Sequence, residues 1–259
     1  VVFVFIVYLT FNFIKVQKII SYPISIVFYF FFALALLIFH PIQWICLNIF
    51  GYQAHKKSVD ILNGCLLRCG HILGTTFSVE GVALVPEKVP IIFVSNHQSL
   101  YDIVLMIWYL RKAHPKFVSK KELGKGIPSV SFNLKRGGSV LIDRKDSKQA
   151  LPTIKGLAEY IQKYKRSAVI FPEGTRSKTG APKSFSENGM KILCKYAPDA
   201  YVVPVTINNS WKIFRYGMFP LGLGARVSMK IHEPMKVNDY DFNTLFEITQ
   251  EKITSQIKY

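Results

Sequence analysis

The chain has 259 residues, half of them hydrophobic and 14% aromatic, with 33 Lys and Arg against 16 Asp and Glu for a formal net charge of +17. Its length allows one large domain or two small ones, and its apolar content excludes a disordered polymer. Four scattered cysteines exclude a disulfide scaffold, and the positive surplus calls for a phosphate-bearing or acidic partner.

The N-terminal fifty residues hold much of the apolar excess. "VVFVFIVYLTFNFI" (Val1–Ile14) is followed by Lys15 and Lys18, and then by the uncharged run "YPISIVFYFFFALALLIF" (Tyr22–Phe39), closed by His40-Pro41. The second run is just long enough to cross a hydrocarbon core of about 30 Å as a helix. The expectation is two membrane-embedded helices within residues 1–50, spanning or dipping in as a hairpin. The basic domain over 51–259 is expected on the cytoplasmic face by the positive-inside rule. Cys65 and Cys69 lie four apart in "ILNGCLLRCGHIL" and share a helix face. No second ligand pair accompanies them, so reduced, packed thiols are expected and no metal.

From residue 72 onward strand-like and helix-like segments alternate. Thr75–Val79, Ile91–Val94, Phe117–Ser119, Ser139–Ile142, Ala168–Phe171, Tyr201–Thr206 and Arg226–Ile231 read as strands. Ser99–Lys112, Ser147–Lys163, Glu187–Tyr196 and Asn243–Ile257 read as helices. This order predicts an α/β domain, a central mixed β-sheet flanked by helices and preceded by the membrane-embedded segment.

The first informative stretch is "VSNHQSLYDIVLM" (Val94–Met106), where a buried strand meets an apolar helix. Ser99 and Asp102 fit a capping box, in which the carboxylate serves only to start the helix. His97, beside Asn96 at the strand end, is needed by no cap, and strand-to-helix loops are where α/β proteins place working groups. His97 and Asp102 are five positions apart, which is not a same-face spacing on a regular helix. The histidine must sit in the loop and fold back.

Two further stretches carry donors for an anion. "RGGSVLIDR" (Arg136–Arg144) ends a short strand on Arg144, whose planar fork suits phosphate, although a solvated strand end reads the same way. "VIFPEGTRSKTG" (Val169–Gly180) leads from a buried strand into Glu173, Gly174, Thr175 and Arg176, more polar chemistry than a turn requires. In "YVVPVTI" (Tyr201–Ile207), Pro204 removes a ladder donor and predicts an edge or a bulge.

Taken in order, these stretches resemble the glycerolipid acyltransferase family, specifically the 1-acyl-sn-glycerol-3-phosphate acyltransferases. N-H-x-x-x-x-D is matched by Asn96, His97 and Asp102, and F-P-E-G-T-R-S by Phe171 through Ser177. G-x-x-F-I-D-R is matched by Gly138, Ile142, Asp143 and Arg144, with Leu141 where Phe is usual. Val203-Pro204-Val205 matches the valine-proline strand, and "SKKEL" (Ser119–Leu123) looks like the family's basic turn. The resemblance spans roughly residues 75 to 210.

It implies His97 as general base and Asp102 as its orienting carboxylate, transferring an acyl chain from a thioester to the 2-hydroxyl of 1-acyl-sn-glycerol-3-phosphate. It makes Arg144, Gly174, Thr175 and Arg176 the phosphate-binding set, with Glu173 and Asn96 positioning the substrate. Lys120 and Lys121 are secondary candidates. No bound cofactor is implied. The co-substrate would be acyl-CoA or an acyl carrier protein, and the partners membrane phospholipids, on the cytoplasmic face of a bacterial inner membrane. The chain has no G-x-S-x-G nucleophile elbow and no cysteine near a motif, so direct transfer needs the fewest parts. Three alternatives stand beside it: the same chemistry on another lysophospholipid or lyso-aminolipid, a non-catalytic lipid binder, and a membrane-tethered nucleic-acid binder. The last rests on charge alone, without a zinc-finger, Walker or RNP pattern, and no nucleic acid is expected.

Overall fold

A computed structural model describes residues 2–143 and 146–258. It opens on a single helix, α1 (Val2–Ile49), followed by α2 (Tyr52–Ile72), which packs against it. The two expected N-terminal helices are therefore one. Between the two apolar runs stand Lys15, Val16, Gln17 and Lys18, none of which breaks a helix. Pro23 and Pro41 lie inside α1 without ending it. Only Lys15–Ile49 is long and apolar enough to cross a membrane among the described residues, and little of that segment is covered by the rest of the chain.

Then come β1 (Thr76–Glu80), β2 (Ile91–Ser95), α3 (Tyr101–Tyr109), β3 (Pro115–Lys120), α4 (Val130–Arg136), β4 (Val140–Ile142), α5 (Ser147–Tyr164), β5 (Ser167–Ile170), α6 (Asn188–Tyr196), β6 (Tyr201–Asn208), β7 (Arg226–Ile231), β8 (Met235–Lys236) and α7 (Phe242–Thr254). The strands form one mixed sheet in the order β1-β7-β6-β2-β5-β3-β4, with β8 also on β6. β6 runs parallel to β2 and antiparallel to β7 and β8. The remaining pairs are parallel.

All five residues of β2 are buried, which is why Ile91–Val94 read as an unbroken apolar run rather than an alternating one. Ile91 and Phe93 face a core shared with α1, α2 and α3, while Ile92 and Val94 face one shared with α5, α6 and α7. The sheet is thus covered on both faces.

Pro204 is not at an edge: β6 lies between β2 and β7. Tyr201 N–H donates to Pro90 O and Ile207 N–H to the Asn96 side chain, so the odd-numbered nitrogens of β6 face β2. The Pro204 nitrogen faces the other way. There β7 stops at the Val205–Ile231 pair and β8 resumes at Val202–Met235, so the lost donor falls in the gap between two partners.

Candidate active site

β3 and β4 lie to one side of β2, and β6 and β7 beyond its other edge. Chain connections leave β2 in opposite directions, and the crevice past its carboxyl end is where such sheets bind ligands. His97 stands in this loop. Asn96 anchors it: its amide donates to Ile207 O (2.8 Å) and accepts from Ile207 N–H (2.7 Å). Asn96 thereby holds the loop to β6.

His97 Nδ1 lies 2.8 Å from Asp102 Oδ2. The same oxygen accepts the N–H groups of Gln98 (2.7 Å) and Ser99 (2.8 Å), while Oδ1 accepts from the hydroxyls of Ser99 (3.3 Å) and Ser210. Ser99 Oγ in turn accepts the Tyr101 N–H at 3.1 Å. The carboxylate arm of the capping box is present, while Ser99 Oγ takes the N–H two residues on rather than three, and the same carboxylate anchors the histidine. With Nδ1 engaged, Nε2 is the nitrogen that can meet a hydroxyl. The imidazole stacks on Phe171 with centroids 4.0 Å apart and planes 17° from parallel, which fixes its swing.

Glu173 turns inward. Oε1 accepts the His97 N–H (2.9 Å) and Oε2 the Lys183 N–H (3.2 Å), so it braces the main chain of the histidine. Burial pushes its carboxyl above the usual range, against the opposing pull of those two N–H groups and of the nearby His97 and Lys183 charges. Ser177 N–H donates to His97 O (2.7 Å), tying the loop after β5 to the loop after β2.

Thr175 and Arg176 are exposed at the groove. Lys183 Nζ donates to Thr175 Oγ1 (2.8 Å) and to Arg176 O (2.9 Å), adding a second cationic group beside Arg176. Gly174 has φ +68, a left-handed turn open to glycine and costly for a side chain. Lys120 lines the groove, and Lys121, next to it, is exposed. Arg144 lies outside the described residues.

Sequence reasoning missed Ser210, Lys183 and the stacking role of Phe171. Ser210 is 108 positions from Asp102 and carried no local signal. Phe171, one residue past a buried strand and two before Glu173, could have been noticed as an aromatic at a working loop.

The groove holding His97, Thr175 and Arg176 has a volume of about 850 Å³. Leu100, Ile103, Phe117, Leu123, Phe214 and Met218 line both it and a second pocket of about 250 Å³. That pocket runs between α1, α2, α3 and α4, with Phe28, Phe32, Leu62 and Val104 among its walls. A groove that carries basic and polar groups among apolar ones thus continues into an almost wholly apolar pocket. Among the described residues no group of three His, Cys, Asp or Glu side chains converges as a metal site.

The family model described as acyltransferase matches residues 76–208, which include His97, Asp102 and the loop from Glu173 to Arg176. This chain belongs to the acyltransferase family. Among its relatives, the 1-acyl-sn-glycerol-3-phosphate acyltransferase of Helicobacter pylori is 38% identical over 190 residues, covering 70% of this chain and 75% of that one. The relative of the same name from Borreliella burgdorferi is 24% identical, covering 78% and 80%. A chloroplastic relative from Arabidopsis thaliana is 32% identical, but the match spans only 43% of its length. Among solved structures, a 1-acyl-sn-glycerophosphate acyltransferase from Thermotoga maritima superposes with a TM-score of 0.72, covering 93% of this acyltransferase and 95% of its own chain at 24% identity. The mixed sheet flanked by helices is therefore a shared fold.

Proposed function

We propose that this acyltransferase moves an acyl chain from an acyl thioester to the 2-hydroxyl of 1-acyl-sn-glycerol-3-phosphate, making phosphatidic acid for phospholipid biosynthesis. The observation that carries the reading is the His97–Asp102 pair at the junction of a groove with basic donors and an apolar pocket. His97 Nε2 takes the proton as the acceptor oxygen attacks the thioester carbonyl carbon. The new C–O bond forms, the C–S bond breaks, and the leaving thiolate receives that proton from the imidazolium. Asp102 holds the Nδ1–H tautomer and stabilises the imidazolium between the two transfers. Arg176 and Thr175, with Lys183 beside them, take the acceptor's phosphate. The apolar pocket takes an acyl chain. The names of the relatives support the acceptor.

Coenzyme A, rich in phosphates, and an acidic acyl carrier protein both suit a chain of charge +17. The bilayer presents the acceptor, and the basic domain faces anionic headgroups on the cytoplasmic side. α1 is buried at Ser21, Ser25, Phe28, Leu36 and Gln43, a stretch of about 33 Å at 1.5 Å per residue along the flank of the domain. A helix crossing the bilayer there would drag that flank through the hydrocarbon. The contact favours α1 lying within one leaflet.

The deciding assay is transfer from a labelled acyl thioester to 1-acyl-glycerol-3-phosphate in detergent micelles, with His97→Ala as control. Phosphatidate from the wild type alone is the expected result. Product from neither acceptor nor any other lysolipid would leave only a binding role.

A further inference from the structure

Between α1 and the groove runs the loop Tyr216–Leu221. Its tip is apolar and uncovered: Met218 is 57% exposed and Phe219 48%. The loop is nonetheless fastened to α1 at three points. Leu221 N–H donates to Ser25 Oγ (2.8 Å), the Tyr29 hydroxyl donates to Met218 O, and Phe219 packs edge-on against Tyr22 with centroids 5.4 Å apart. The exposed side chains therefore continue the apolar outer face of α1, where Ile19, Ile26 and Phe30 are also exposed.

The loop is graded along its length. At its base the Tyr216 ring is flanked by Lys18 Nζ at 5.6 Å and Arg215 at 5.2 Å. Cations packed on an aromatic ring, next to an apolar tip, are the pattern that seats a segment at a bilayer surface: the cations at the headgroups, the tip among the chains. A large exposed apolar patch on a soluble surface would be a liability instead. The other side of the loop faces the chemistry, because Arg215, Gly217 and Met218 line the catalytic groove, and Met218 lines the apolar pocket as well.

We infer that the loop Tyr216–Leu221 inserts into the bilayer beside α1 and forms the threshold over which a single-chain acceptor lipid enters the groove from the membrane. Insertion rests on the loop's own chemistry, and the threshold role on the acceptor named above. A lipid crossing there keeps its chain among apolar side chains throughout, and only its headgroup meets the basic groove.

Two measurements on the full-length enzyme test this. In the first, Phe219→Trp is placed in vesicles whose phospholipids carry bromine on the acyl chains, and its emission is read as the difference from the wild type. Quenching is expected; emission unchanged by bromine overturns insertion. In the second, Phe219→Asp and Phe219→Leu are assayed with a long-chain acceptor embedded in vesicles and with a short-chain acceptor dispersed in water. Phe219→Asp is expected to lose at least tenfold in kcat/KM on the embedded acceptor and less than twofold on the dispersed one, with Phe219→Leu near wild type on both. An equal loss on both acceptors, or no loss on either, overturns the threshold role. A wild type inactive on both would instead count against the acceptor assignment, and the quenching would still decide insertion.

Discussion

The carboxylate of Asp102 is shared between a histidine and a helix. Its Oδ2 accepts from His97 Nδ1 at 2.8 Å and from the N–H groups of Gln98 and Ser99, so the atom that orients the imidazole is the atom that starts α3. Orientation of the imidazole and initiation of the helix thus rest on one carboxylate oxygen.

Asp102→Asn should therefore lose both functions. An amide NH2 in place of one acceptor oxygen would face donors in a fully buried site. We expect a loss of activity of at least ~100-fold, together with about 1–3 kcal/mol of stability. His97→Ala should lose about 10²–10⁴-fold in turnover with a smaller change in stability. Turnover and denaturant unfolding of both variants give the comparison; a stable, inactive Asp102→Asn would show that the cap does not need the charge.

Phe171 holds the imidazole by its face. Phe171→Leu keeps an apolar group there and removes the flat shelf. We expect kcat to fall about 5–30-fold, roughly 1–2 kcal/mol of lost positioning, with KM for both substrates near normal. A rise in KM without a change in kcat would mean that the ring contacts substrate instead.

Lys183 reaches Thr175 Oγ1 and Arg176 O, so it adds charge to the loop after β5 and also ties its shape. Lys183→Met and Arg176→Lys should each raise the apparent KM for the phosphate-bearing acceptor by about tenfold, near 1.4 kcal/mol, and leave the thioester's KM unchanged. Initial-rate kinetics with each substrate varied in turn separates the two.

Lys116 lies at the opposite end of the sheet and is 6% exposed. Burial, then Arg166 and Lys56, bring its amine down to about 7, against the pull of Asp60. Between that value and the ordinary 10.5 the unfolded chain holds a proton that the folded chain has released, so stability rises with pH across the window. The slope should be at most ~1.4 kcal/mol per pH unit. Below about 7 both states are protonated and the burial penalty is fully present. Lys116→Met should be more stable than wild type at pH 7 and should flatten this rise, read from denaturant midpoints at several pH values.

What local pattern alone can specify was legible in the chain. The buried strand Ile91–Ser95, the amphipathic α5 and α6 and the strand before Glu173 are written as runs and periods, and the motif residues sit at their ends. Short elements were not legible: α4 has seven residues and β8 two, too few for a period to show. α1 was divided in two at Lys15 and Lys18 because charge marks the end of an apolar run, whereas a helix ends only where its backbone does.

The sequence by itself determined the chemistry available: a histidine, an aspartate five residues on, and a glycine-containing loop with a threonine and an arginine. Tertiary structure decided what each residue does. Asn96 closes on Ile207 from 111 positions away, Glu173 reaches the His97 N–H across 76, and Ser210 completes the Asp102 carboxylate across 108. These contacts exist because β5, β2 and β6 are neighbours in the sheet although they are not consecutive in the chain. Strand order arises from burying both faces of the sheet at once, a condition on the whole chain that no single stretch of residues carries.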